Sequence, residues 1–243
     1  FSGMYQLYKL RGQGLDVQVF EAGSDVGGTW YWNRYPGARV DIESMAYSFS
    51  FSEELQQEWE WSEKYSPQPE LLKYAQHIAD RFDLKNHIAF NTRVASAHFD
   101  DDADEWLVTT ECGRRIRAQH LVMATGVLSA SKEPDIVGRE NYQGDTYRTG
   151  LWPKEGVDFT GKRVAVIGTG SSAVQAIPFI AEEASELVVY QRTATFSTPA
   201  LNHALKKEHA AAIKANYGEY RATQKLNVLG VVNERSVDRA IDA

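Results

Sequence analysis

The sequence predicts an α/β fold, and two stretches carry that prediction. From Arg163 to Arg192 the apolar run Val164 to Ile167 reads as a buried strand. Gly168-x-Gly170-x-x-Ala173 follows it directly and opens a helix, and a second apolar run, Leu187 to Tyr190, closes a βαβ unit. In that order the glycines permit a tight turn and let backbone N–H groups approach a pyrophosphate at a helix N-terminus. The second stretch opens the chain: an amphipathic helix, then the alternating strand Leu15 to Phe20, then Glu21. It reads as a second such unit whose first strand and first glycines lie outside the sequence, with Phe1, Ser2 and Gly3 as the last three positions of the motif. The expected architecture is two Rossmann-like nucleotide-binding domains, residues 1–140 and 141–243, both ends of the chain reading as cut.

The residue after each second strand selects the nucleotide. Glu21 suits the ribose hydroxyls of FAD, whereas Arg192, followed by Thr193, suits the 2′-phosphate of NADPH. The competing reading of Arg192 is a surface arginine that closes a strand. In the second unit Gly168, Thr169, Gly170, Ser171 and Ser172 form the pyrophosphate turn.

Composition narrows the function classes. A hydrophobic share of 43% with 24% charged residues is that of a globular protein with a sizeable core. A net charge of −7 without a basic stripe argues against nucleic acid as a partner. No apolar run is long enough to span a membrane. The single cysteine, Cys112, excludes an internal disulfide and suits a cytoplasmic setting, and the six scattered histidines show no metal-ligand spacing.

Between the two units the chain reads in order. Residues 22–44 form a polar loop rich in glycine and aromatics: Gly28, Thr29, Trp30, Tyr31 and Trp32 suit close passage against a planar ligand, with Tyr47 further on. Such aromatics singly are more often core. Arg39 and Asp41 are the charged candidates of this loop. Asp41 is read as orienting a cation near a redox centre, the alternative being a helix-capping or solvated aspartate. Residues 53–64 read as a surface segment packed by its tryptophans. Leu71, Leu72, Ala75, Ile78, Ala79 and Phe82 recur at helical spacing and predict a core-facing helix. From Ile88 to Val122 the period becomes two, with a hairpin turn at Asp100 to Asp104, which predicts a small antiparallel insertion carrying Val94. Ala124-Thr125-Gly126 is expected to end a buried strand, and an Ala/Lys-rich helix is expected around Leu205 to Tyr220.

Taken together, G-G-T-W-Y-W-N-R-Y-P-G-A-R-V-D at 27–41, the 142–153 segment with Gly144, Trp152 and Pro153, and G-T-G-S-S-A with Q-R-T resemble the Baeyer–Villiger monooxygenases. The segment 142–153 is similar to that family's signature F-x-G-x-x-x-H-x-x-x-W-P, but Tyr142 stands for phenylalanine and Arg148 for histidine. The resemblance implies that NADPH reduces FAD, that a flavin C4a-peroxide forms with O2, and that a ketone becomes an ester or lactone. It also implies that Val94 lies near the adenine of FAD, that Asp41 supports an active-site arginine outside this sequence, that Arg39 reaches the nicotinamide side, and that position 148 couples the domains. Arginine there is permanently charged, so NADPH coupling is expected to be altered. The family's chains are roughly twice as long, and this stretch alone is expected to be colourless and inactive. Two other readings stay open: a flavin monooxygenase acting on nitrogen or sulfur, and an inactive fragment with residual nucleotide binding. The ketone and the oligomeric state are not legible.

Overall fold

The computed structural model describes residues 1–227; the last part of the 141–243 assignment, residues 228–243, lies outside the described residues. In chain order the elements are α1 (Ser2–Gly12), β1 (Val19–Phe20), α2 (Thr29–Trp32), α3 (Ser44–Tyr47), α4 (Glu53–Glu58), α5 (Gln68–Arg81), β2 (Ile88–Ala89) and β3 (Val94–Asp100). They continue with β4 (Glu105–Thr110), β5 (Arg115–Ala118), β6 (Arg163–Ile167), α6 (Ser171–Glu183), β7 (Glu186–Tyr190), α7 (Lys207–Ala215) and α8 (Tyr217–Leu226). The chain divides into two compact units, one of Phe1–Ala38 with Leu71–Ala194, the other of Arg39–Glu70 with the segment from Thr195.

In the first unit the predicted stripe of α5 is fully buried at Leu71, Ala75, Ile78 and Ala79 and half-buried at Leu72 and Phe82, while Tyr74, outside the predicted stripe, is fully buried as well. Against α5 lies α1, which buries Met4 and Leu7 and sets Tyr8 edge-on to Phe82 with ring centroids 5.0 Å apart. Three small sheets follow: β1 with β2 in parallel, β3-β4-β5 antiparallel, and β6 with β7 in parallel. The acidic hairpin is observed where expected, with Asp100 opposite Glu105.

Four expectations of local structure are corrected. The strand expected from Leu15 is only Val19–Phe20, because its parallel partner is the two-residue β2 and a strand extends only as far as its ladder. The run from Ile88 to Val94 breaks at Asn91, whose φ of 51° turns the chain; asparagine tolerates that region better than most residues. Ala124-Thr125-Gly126 ends no buried strand: the segment is irregular, with Val122 54% and Met123 75% exposed, and no strand among the described residues pairs with it. The helix expected around Leu205 to Tyr220 is two helices, parted at Asn216 with φ −141° and ψ 45°.

The second unit is held by side-chain to backbone bonds. Arg221 on α8 donates to the Ala46 and Ser48 carbonyls at 3.1 and 3.0 Å, which α3 leaves unpaired at its end. The segment 53–64 is more than a surface strip. Ser52 caps α4 by accepting from the Leu55 N–H at 3.2 Å, Leu55 and Trp61 are buried, and the Trp61 indole donates to Ser48 Oγ at 2.8 Å.

Candidate functional site

The βαβ unit predicted at residues 163–192 forms in the expected order, but the strand expected to be buried is not: β6 alternates exposed and half-buried residues, with Ile167 67% exposed, because an apolar run is buried only where other elements cover both its faces. β6 and β7 pair in parallel register from Arg163 with Glu186 to Ile167 with Tyr190, and the Gly168 N–H extends the ladder to the Tyr190 carbonyl at 2.8 Å. Gly168 then turns with φ +99°, a conformation that glycine alone adopts without a Cβ penalty. Gly170 is the N-cap of α6 and offers no side-chain acceptor, so the first N–H groups of the helix stay open. Around both glycines nothing lies within 4 Å of where a side chain would start. An open, positive helix end beside an unobstructed turn fits a pyrophosphate.

Around that turn, Thr169 and Ser172 are half-buried while Ser171, Arg192 and Thr193 are exposed. Arg192 forms no ion pair among the described residues, so its guanidinium is open to an anion. Gln191, which the sequence reading passed over, donates from Nε2 to Thr169 Oγ1 at 2.7 Å and ties the strand end to the glycine turn. Its position between the strand and Arg192 was the available signal.

At the other candidate end, Glu21 follows β1, and one carboxylate oxygen accepts the Gly23 N–H at 2.7 Å, leaving the other available. Gly3 lies in the first turn of α1, where an added methyl would stand 3.5 Å from the Ala124 methyl; the Ala-Thr-Gly segment therefore passes beside this helix start despite being no strand. Val94 begins β3 opposite Thr110 and is 40% exposed.

The aromatic loop divides its residues. Gly28 precedes α2 with φ +53°, Thr29 is half-buried, Trp30 and Tyr31 are buried, and Trp32 is 36% exposed. The Tyr31 hydroxyl meets Ser24 Oγ at 2.7 Å, the Ser24 N–H at 3.1 Å and Lys154 Nζ at 3.2 Å. The Ser24 hydroxyl is the main cause that pulls this phenol down to about 8; burial opposes it, and the Ser24 N–H and the Lys154 ammonium add to the lowering. Tyrosinate absorbance followed against pH is therefore expected to show one early ionisation near pH 8 that Tyr31→Phe removes. If the wild-type and variant curves coincide, this assignment is wrong.

Further along the same loop, Tyr35 donates from its hydroxyl to Gln175 Oε1 at 2.8 Å, and Gly37 lies flat against α6. Tyr35 and Ala38 join Phe159, Ala176 and Ile180 in a buried cluster, with Trp152 packed beside it. Trp152 stands 6.1 Å from Phe159 and 5.9 Å from Tyr147, ring to ring. The aromatic loop and the Trp-Pro segment thus share one core with the second βαβ unit, a convergence invisible in the sequence.

Arg148 is half-buried and forms an ion pair with Glu133 at 2.9 Å, and Arg139 donates to the other oxygen of the same carboxylate. The Arg139 guanidinium first, and then the charge of Arg148, hold the Glu133 carboxyl below its usual range. Glu133 was not singled out by sequence, because an isolated glutamate in a linker carries no pattern.

Arg39, Asp41 and Tyr47 belong to the second unit. Arg39 pairs with Glu63 at 3.1 Å, Glu63 also accepts from Asn202, and the Asn202 amide oxygen accepts the Tyr65 N–H at 3.0 Å. Asp41 lies exposed on a bend, and Tyr47 is half-buried at the end of α3. Among the described residues no cluster of histidine, cysteine or carboxylates could hold a metal, and no helix is long and apolar enough to cross a membrane.

Comparison with known proteins adds to this geometry. The family model of the pyridine nucleotide-disulphide oxidoreductases matches residues 8–239. The chain is 45% identical over 218 residues to the cyclohexanone 1,2-monooxygenase of an Acinetobacter species, covering 89% of this chain and 40% of that protein. It is 44% identical over 218 residues to the phenazine N-monooxygenase of Lysobacter antibioticus, again 89% and 40%. A crystal structure of OTEMO in complex with FAD and NADP superposes with a TM-score of 0.89 at 43% identity, covering 94% of this chain and 44% of that one. The chain therefore spans about two fifths of the length of the curated relatives it matches.

Proposed function

Because the chain belongs to the pyridine nucleotide-disulphide oxidoreductase family, we propose that it supplies the nucleotide-binding part of an FAD- and NADPH-dependent monooxygenase. That enzyme inserts one oxygen atom of O2 beside a ketone carbonyl to give an ester or lactone. The observation that carries the reading is the pair of nucleotide ends of opposite charge, Glu21 and Arg192, in a chain whose relatives include a cyclohexanone monooxygenase. When bound, FAD supplies the activation of O2 and NADPH the electrons; the protein supplies binding and orientation.

In this reading the free oxygen of Glu21 accepts from a ribose hydroxyl, with Gly3 and the start of α1 at the FAD phosphates. Gly28, Thr29 and Trp30 line the flavin, and Val94 and Tyr47 are assigned to the same cofactor. The turn from Gly168 to Ser172 takes the NADPH pyrophosphate, and Arg192 with Thr193 takes the 2′-phosphate. Arg39, steadied by Glu63, is assigned to the nicotinamide end, and Asp41 to orienting a cation there. Residues 1–140 then serve FAD and residues 141–243 NADPH. Arg148, anchored by Glu133, takes the coupling position, and a cytoplasmic setting is proposed from the lone cysteine.

A second reading, oxygenation of nitrogen, is favoured by the phenazine N-monooxygenase relative. Incubating the polypeptide at the full length its gene encodes with NADPH and a cyclic ketone, a thioether and an amine separates the two. A lactone is expected; an N-oxide or sulfoxide with no lactone overturns the ketone reading. In the same assay Arg148→His is expected to change the ratio of product formed to NADPH consumed, and an unchanged ratio removes Arg148 from the coupling role.

A further inference from the structure

A pocket of about 140 Å³ lies in the first unit, lined by Tyr31, Trp32, Arg34, Leu151, Trp152 and Lys154. Its charges are both positive, and neither meets a carboxylate among the described residues. Arg34 donates from Nε to the Tyr31 carbonyl at 2.6 Å and sets its guanidinium 4.7 Å from the centre of the Tyr31 ring. Lys154 donates to the Tyr31 hydroxyl and stands 5.5 Å from the same ring centre. Neither forms an ion pair among the described residues, and Glu155, next to Lys154 in sequence, forms none either. Four guanidinium N–H groups and two ammonium donors are left over, in a chain whose net charge is −7. Cations already held in place by one tyrosine have lost side-chain freedom before any ligand arrives, which lowers the cost of binding one.

The remaining walls are apolar. The indoles of Trp32 and Trp152 and the side chain of Leu151 border the pocket, and Trp32 and Leu151 keep 36% and 50% of their surface exposed. The pocket lacks the glycine turn and open helix start that mark the pyrophosphate site. Its volume lies well below the roughly 300–1,000 Å³ of sites for drug-sized ligands, so its occupant is small. Two cations fix a single anionic group, and flat apolar walls fit a single ring.

We propose that this pocket binds a one-ring organic carboxylate, whose charge is taken by Arg34 and Lys154 and whose ring lies against Trp32, Leu151 and Trp152. Neither cation is assigned to FAD or NADPH, although Tyr31 and Trp32 belong to the loop read as passing a planar ligand, and the test needs no turnover.

Isothermal titration of the full-length polypeptide with benzoate is the direct experiment, with benzamide and inorganic phosphate as comparison ligands. Benzoate is expected to bind with a dissociation constant of about 1 mM, the range open to so small a ligand. Benzamide and phosphate are each expected to bind at least about tenfold more weakly, one lacking the charge and the other the ring. Lys154→Met and Arg34→Met are each expected to weaken benzoate by about tenfold. Arg34→Met also removes the bond to the Tyr31 carbonyl; Lys154 is exposed, so its variant keeps the test decisive should the other fail to fold. Absence of benzoate binding, undiminished binding to Lys154→Met, or phosphate binding as tight as benzoate overturns the proposal.

Discussion

Arg192→Ala is expected to raise the KM for NADPH by about 10- to 100-fold in the full-length enzyme while leaving the KM for NADH within about twofold. The magnitude is that of hydrogen bonds to a charged group, about 1.5–3 kcal/mol. The asymmetry follows from geometry: Arg192 lies just past β7, exposed and without an ion pair among the described residues, so its loss is felt only by a ligand that carries a phosphate there. The rest of the turn is untouched, because the Gly168 N–H bond to Tyr190 and the Gln191 bond to Thr169 do not involve the guanidinium. Steady-state rates with each coenzyme give both constants. Equal losses for the two would mean that the substitution disturbed the fold around the turn, and no change for either would place the 2′-phosphate elsewhere.

The second large effect is structural. Gly37→Ala is expected to destabilise the protein by about 2–5 kcal/mol, about 1–2 from a left-handed backbone and 1–3 from overpacking. Gly37 has φ +77°, and an added Cβ would fall 2.3 Å from the Gln175 carbonyl oxygen and 2.4 Å from a ring carbon of Phe179. The phenyl ring can swing aside, but the carbonyl belongs to the backbone of α6 and cannot. Gly113→Ala isolates the first term, since Gly113 has φ +84° and nothing within 4 Å of the new methyl. Urea unfolding of the two variants beside the parent checks the difference. Should Gly113→Ala cost as much as Gly37→Ala, the close docking of the aromatic loop on α6 is not what makes Gly37 necessary.

These two predictions sit at opposite ends of what can be read from residues alone. The βαβ unit around Arg192 was legible because all its parts are consecutive: a strand, a turn and a helix each announce themselves by local pattern, and their order carries the function. The α5 stripe and the acidic hairpin were legible for the same reason. The contact at Gly37 joins residues 138 positions apart (175 minus 37), and no periodicity reports such a contact. Errors fell where an element depends on a distant neighbour. Residues 121–124 are apolar enough for a buried strand, yet stay irregular because nothing among the described residues takes their hydrogen bonds.

The candidate site shows the same division. Glu21, Arg192 and the glycines between the strands were named from spacing, whereas the partners of the charged candidates were not. Arg39 turned out to be held by Glu63, which also accepts from Asn202, and Arg148 shares Glu133 with Arg139. Glu63 and Glu133 are ordinary acidic residues in irregular segments, and only the folded chain shows which cation each meets.

The sequence by itself determined the class of fold and the opposite charges, Glu21 and Arg192, that follow the two strands read as nucleotide-binding, because each is written in side chains within one short stretch. Tertiary structure alone decided that the aromatic loop and the Trp-Pro segment share a core with α6, and that Arg34 and Lys154 converge on one tyrosine. Convergence of that kind depends on how the chain closes in space, and closure between distant residues leaves no local periodicity or composition by which to read it.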